Sequence, residues 1–97
     1  MDRDEILKAL AHPVRIEILA KLKDPAAHFS AQTHPLDHGV CAGQFQSCGL
    51  SQSTVSAHLA ALQRAGLVTT HKIGQWVFYK RDEKTIAAFL EDLGTTL

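Results

Sequence analysis

The sequence predicts a mainly α-helical domain that carries one β-hairpin, in the order α-α-α-α-β-β-α. Three observations predict it. Apolar residues recur at helical spacing in several separate runs. The period changes to strand-like alternation on both sides of Ile73-Gly74. Glycines, prolines and capping residues fall between the runs, where turns and helix ends need them.

Residues 4–11 read as a short first helix with Ile6, Leu7 and Leu10 on one side. Pro13 suits the first turn of a second helix, where its missing N–H is no loss. Val14, Ile18, Leu19 and Leu22 follow at helical spacing, and Asp24-Pro25 ends the run. Residues 24–39 hold Pro25, Pro35, Gly39 and the histidines His28, His34 and His38. They read as an extended loop with at most a turn of helix, and a loop of that length in a small domain points to function.

Residues 40–48 read as a short helix stopped by Gly49. Ser51 is a good N-cap for a helix over 52–65 that closes at Gly66. Val55, Leu59 and Leu62 fall there at i, i+4 and i+7 and define a buried stripe. Residues 67–72 and 75–80 then pair as a hairpin. Alternation sets Trp76 and Phe78 on one face as packing residues, with Val77 and Tyr79 on the other. A last helix runs from Glu83 to Leu93 with Ile86, Phe89, Leu90 and Leu93 on one face.

Ninety-seven residues suit one domain spanning 1–97. The chain is 45% hydrophobic and 21% charged, ordinary for a folded protein. No apolar run approaches the ~20 residues of a membrane span. Asp2, Arg3, Asp4 and Glu5 do not resemble a secretory leader, so no membrane partner and a cytoplasmic location are expected. Two cysteines are too few for a disulfide scaffold. Formal net charge is zero, but no acid occurs between Asp37 and Asp82. That stretch holds Arg64, Lys72, Lys80 and Arg81, with His58 and His71, and is locally basic as a phosphate-facing surface must be.

A helix, a turn at Gly49 and a second helix make a helix-turn-helix. At about 100° per residue, an inward Val55/Leu59/Leu62 stripe turns Ser53, Ala57, Ala60 and Arg64 outward, flanked by Thr54 and Ser56. Short hydroxyls and alanines let a helix approach base edges, amides such as Gln52 pair with adenine, and Arg reaches phosphate or guanine. The hairpin would form a wing with Lys72, Gly74 and Gln75 at its tip. The expected DNA-binding residues are therefore Ser51, Gln52, Ser53, Thr54, Ser56, His58, Arg64, Lys72 and Gln75. The fold expected is a winged helix-turn-helix.

Leu10-Ala11-His12-Pro13-Val14-Arg15-Ile16-Glu17-Ile18-Leu19 resembles the N-terminal signature of the ArsR/SmtB family of winged-helix repressors. The run from Leu50 to Val68 is similar to that family's recognition helix and exit. Gly74-Gln75-Trp76-Val77-Phe78-Tyr79 resembles its wing. The match leaves out only residues 24–39. It implies a homodimer paired through the first and last helices, here Ile6, Leu7, Leu10, Ile86, Phe89, Leu90 and Leu93. Its recognition helices would lie about 34 Å apart on a palindromic double-stranded operator. It also implies repression relieved by an inducer.

The inducer is not legible. The family's arsenic-sensing branch carries Cys-x-Cys at its third helix, where this chain has Cys41-Ala42-Gly43; the zinc-sensing branch uses Asp and His on the last helix, which here has no His. His34, His38 and Cys41 could instead direct three ligands to a metal such as zinc, set against solvated loop histidines and no metal at all. Cys41 and Cys48 are candidate redox thiols. On one straight helix they would lie about 10.5 Å apart, beyond the ~7 Å a disulfide tolerates, so pairing would have to disturb the turn. Cys48 also suits a packing position. An organic effector is the third option. The alternative function is a thiol- or metal-binding interaction module that does not read DNA. An enzyme is not expected, because no paired-carboxylate cleft, phosphate loop or nucleophile elbow is present.

Overall fold

The computed structural model describes residues 1–45 and 50–97 with their side chains, and 46–48 by backbone. Helix α1 (Arg3–Leu10) starts at Asp2, whose carboxylate accepts from the Glu5 N–H at 3.2 Å. Helix α2 (Pro13–Lys23) carries its proline at the first position, and α3 (Pro25–His28) is a single turn. A 3-10 turn (Leu36–His38), a strand β1 (Val40–Cys41) and a 3-10 stretch (Ala42–Cys48) follow. Then come α4 (Gln52–Arg64), β2 (Val68–Ile73), β3 (Trp76–Arg81) and α5 (Glu83–Thr96).

α5 runs three residues beyond the expected Leu93. Arg3 reaches across to its last turn, donating to the Thr96 hydroxyl at 2.8 Å and to the Asp92 carboxylate at 3.2 Å.

β2 and β3 pair antiparallel, Val68 opposite Arg81 and Ile73 opposite Trp76. Gly74 takes φ +59° between them while no described non-glycine residue has positive φ. That is the signature of a two-residue hairpin turn with glycine first.

A third strand corrects the helix expected over 40–48. β1 pairs with β3, Val40 opposite Tyr79 and Cys41 opposite Phe78, giving the order β1-β3-β2. Val40 is β-branched and fully buried, and the edge of β3 supplies its backbone partners. Local periodicity cannot register an edge built from residues so far downstream.

The core gathers Ile6, Ile18, Leu19, Leu22, Phe29 and Val40 with Phe45, Val55, Leu59, Leu62, Leu67, Val68 and Phe89. Phe78 is only 1% exposed yet stands outside this cluster. Its register neighbours Cys41 and His71 share the opposite face of the sheet. The loop covers that face: the His34 ring meets Phe78 at 5.2 Å and the His38 ring at 6.0 Å. Residues 29–39 are therefore a strap over the outer side of the hairpin.

Gln32 closes the strap. Its buried carboxamide donates to the carbonyls of His34 (3.2 Å) and Gly39 (3.1 Å) and accepts from the Cys41 N–H at 2.8 Å. Gln32→Leu removes all three bonds and strands buried polar backbone, so we expect a loss of about 1–3 kcal/mol in urea unfolding. Amide exchange should quicken over 32–41. A change below about 0.5 kcal/mol, typical of a surface substitution, would show the brace to be idle.

Candidate nucleic-acid interface

α4 is positioned from both its start and its inner face. Ser51 caps it: the hydroxyl accepts from the Thr54 N–H at 3.2 Å and lies 2.8 Å from the Thr54 hydroxyl and 3.2 Å from that of Ser53. Ser51 and Thr54 thus serve the helix end first. Val55, Leu59 and Leu62 are 2%, 0% and 0% exposed and seat the helix on the core. Gln52, Ser53, Ser56, Ala57 and Arg64 are exposed, and Ala60 is half-buried. The outer side therefore carries small, uncharged residues ended by one cation.

The hairpin is joined to this helix at Gln63, whose amide donates to the Thr70 hydroxyl at 3.5 Å. Lys72 and Gln75 lie exposed on β2 and at the hairpin turn. Trp76, expected to pack, is 44% exposed and stands opposite Ile73, itself 41% exposed. Its packing partner is the strap, through the His34 ring at 5.1 Å. The expected alternation of Trp76 and Phe78 holds, but only the inner of the two is covered.

His58 is half-buried on the flank of α4 rather than on its outer side. Its Nδ1 accepts from Arg15 Nε at 3.0 Å, and the same guanidinium donates to the Ala9 carbonyl at 3.3 Å. Arg15 can only donate, so Nδ1 must be bare and the neutral ring carries its proton on Nε2. Burial, the Arg15 charge and His12, whose ring lies 5.9 Å away, all hold the His58 pKa below its ordinary value. Sequence reasoning missed Arg15; its partner lies too far along the chain for any local signal.

The sign of the pH effect follows. The folded chain binds a proton at His58 less readily than the unfolded chain, so the stability it contributes is present above about pH 6.5 and lost as pH falls below it. The drop in Tm between pH 7.5 and 5.5 should therefore be smaller in His58→Gln than in the native chain. Equal drops would remove His58 from the account.

Comparison with known proteins agrees with this geometry. The family described as bacterial regulatory protein, arsR family, matches residues 46–70, which contain all of α4. An uncharacterized HTH-type transcriptional regulator, YbzH of Bacillus subtilis (strain 168), is 39% identical over 101 residues covering all of both chains. The chain belongs to the ArsR family. It is a transcriptional regulator of the ArsR type and not an enzyme. The transcriptional activator HlyU of Vibrio cholerae is 38% identical across 89% of this chain and 68% of its own length. A solved HlyU structure from V. cholerae N16961 superposes with TM-score 0.64 at 36% identity, over 95% of this chain and 87% of that one. An ArsR-like transcriptional regulator from Rhodococcus sp. RHA1 shares the fold, with TM-score 0.71 at 22% identity over 97% of this chain and 77% of the other.

The structure bears on the metal site weighed for His34, His38 and Cys41 against solvated loop histidines and no metal. His34, His38 and Cys41 do gather on one face of the sheet, but around the Phe78 ring. Among the described residues no group of three or more His, Cys, Asp or Glu is placed to hold a metal ion. These residues do not fit zinc. Cys41 is a half-buried free thiol. The Cys48 side chain and Gly49, candidates for a redox thiol and a helix stop, lie outside the described residues.

The residues expected at a dimer interface divide in two. Ile6 (0% exposed) and Phe89 (4%) are spent in the core of one chain, and Leu10, Ile86 and Leu93 pack against it. Leu7 (44%) and Leu90 (59%) remain outside. No helix among the described residues is long and apolar enough to cross a membrane.

Proposed function

We propose that this ArsR-family regulator binds a palindromic DNA operator as a homodimer, with α4 in the major groove and the β2–β3 wing along the adjoining backbone. It represses transcription until an inducer releases it. One observation carries this reading: the exposed side of α4 presents Gln52, Ser53, Ser56 and Ala57 without an acid, on a helix held rigid by three buried residues. Small polar residues on a rigid helix are what close approach to base edges requires. Exposed Leu7 on α1 and Leu90 on α5 support pairing through the end helices. A cavity of about 170 Å³ between α2 and the start of α4, lined by Val14, Glu17, Ile18, Lys21, Phe45, Leu50 and Val55, supports control by a small inducer, and Phe45 is where it meets the 28–48 stretch.

The test is a gel shift on DNA upstream of the chain's own gene. The triple variant Gln52→Ala, Ser53→Ala, Ser56→Ala should weaken specific binding by at least roughly tenfold. Its helix content should be unchanged, because all three side chains are exposed. Failure of the native chain to shift any such duplex at low salt would overturn the reading. Deleting the gene should raise transcription from that promoter. A fall would make the protein an activator, as HlyU is named.

A further inference from the structure

The two flanks of α4 are not alike. At about 100° per residue, Gln63 lies on one side of the outward stripe, and Ala61 and His58 on the other. The Gln63–Thr70 hydrogen bond fastens the wing to the first flank. The second flank faces a cleft of about 180 Å³ against α1 and α2, lined by Glu5, Lys8, Ala9, Arg15, Ala61 and Arg64. Three cations face one carboxylate there.

We propose that this cleft is a second DNA-binding surface, one that takes backbone phosphates of the strand on the side of α4 away from the wing. The inference rests on α4 entering the major groove. That groove is about 12 Å wide, and a helix with its side chains about 10–12 Å across, so a seated helix brings a phosphate strand to each flank. The wing meets one strand and the cleft meets the other. Arg64 belongs to both the outward stripe and the cleft, which makes the two surfaces continuous.

Arg15 has five N–H donors. The Nε bond to His58 and the terminal bond to Ala9 use two of them and hold the guanidinium at the cleft wall. Lys8 is 77% exposed on its side chain and reaches Glu5 only at 3.8 Å, a contact a phosphate can replace at little cost. Phosphate contacts of this kind position a protein on the duplex without reading sequence.

Fluorescence anisotropy tests it across a salt series, with the upstream duplex and a scrambled duplex of the same composition, each about three helical turns long. Lys8→Gln and Arg15→Gln should each flatten the dependence of log Kd on log salt by about 0.9. Both duplexes should weaken in the same proportion, roughly threefold to tenfold at low salt. Glu5→Gln should tighten both, and Lys23→Gln, at the far end of α2, should match the native chain. Arg15→Gln also loosens α4 through His58, so Lys8→Gln, an exposed change, decides the matter. A Lys8→Gln slope equal to the native one overturns the cleft, as does an effect confined to the upstream duplex. If the native chain binds neither duplex, the major-groove reading falls and the cleft with it; the native isotherm tells that failure apart.

Discussion

Leu59→Ala is expected to cost about 2–5 kcal/mol of folding free energy, the range for a truncated core leucine whose cavity cannot collapse. Leu59 is fully buried at the middle of α4, a helix that packs on α1, α2 and β2 together. With three elements packed on this helix, none can move in to fill the space without leaving another. Domains of this size hold only about 5–15 kcal/mol in total. The variant should therefore unfold at a much lower urea concentration, and DNA binding should weaken with it because the outer face of α4 loses its seat. Leu59→Met, which keeps the volume, should cost less than about 1.5 kcal/mol. A Leu59→Ala loss below about 1 kcal/mol would mean that the site relaxes and α4 is less firmly anchored than its burial indicates.

Gly39→Ala is expected to cost about 3 kcal/mol, from backbone strain and overpacking together. Gly39 sits at φ +106°, which L side chains rarely adopt, and a Cβ there would stand 2.8 Å from the Tyr79 carbonyl oxygen and 3.1 Å from Lys80 Cγ. The first obstacle is backbone in the middle of β3, which cannot turn aside. Relief requires β1 to leave β3, and the strap would lift from Phe78. The Cys41 thiol should then react markedly faster with a disulfide reagent than in the native chain. Gly43→Ala is the matched control: nothing lies within 4 Å of its added Cβ and its φ is not positive, so stability should barely change. Equal thiol reactivity in the native chain and Gly39→Ala would show that β1 stays paired despite the clash.

Much of the regulator was readable along the chain because its signals are local. Pro13 at a helix start, Ser51 as a cap, the Val55/Leu59/Leu62 stripe and Gly74 in a tight hairpin each act over a few residues. The Trp76/Phe78 alternation belongs with them. The strand at Val40–Cys41 was not readable, because strand pairing depends on a partner edge and not on the two residues themselves. The histidines of the loop were legible as a cluster but not in their role. His34 and His38 pack on Phe78, and only the register of β1 on β3 brings that ring beneath them.

By itself, then, the order of residues determined α1, α2, α4 and α5, the hairpin and the side of α4 that turns outward, since helical and strand periods are properties of short windows. Only the tertiary structure decided which apolar residues one chain consumes, so that Ile6 and Phe89 vanish into the core while Leu7 and Leu90 stay exposed. It alone made His58, a residue in line for DNA, the acceptor for Arg15 as well. Both outcomes depend on the packing of α1, α2 and α5 around α4, and long-range packing is not encoded in any window of neighbouring residues.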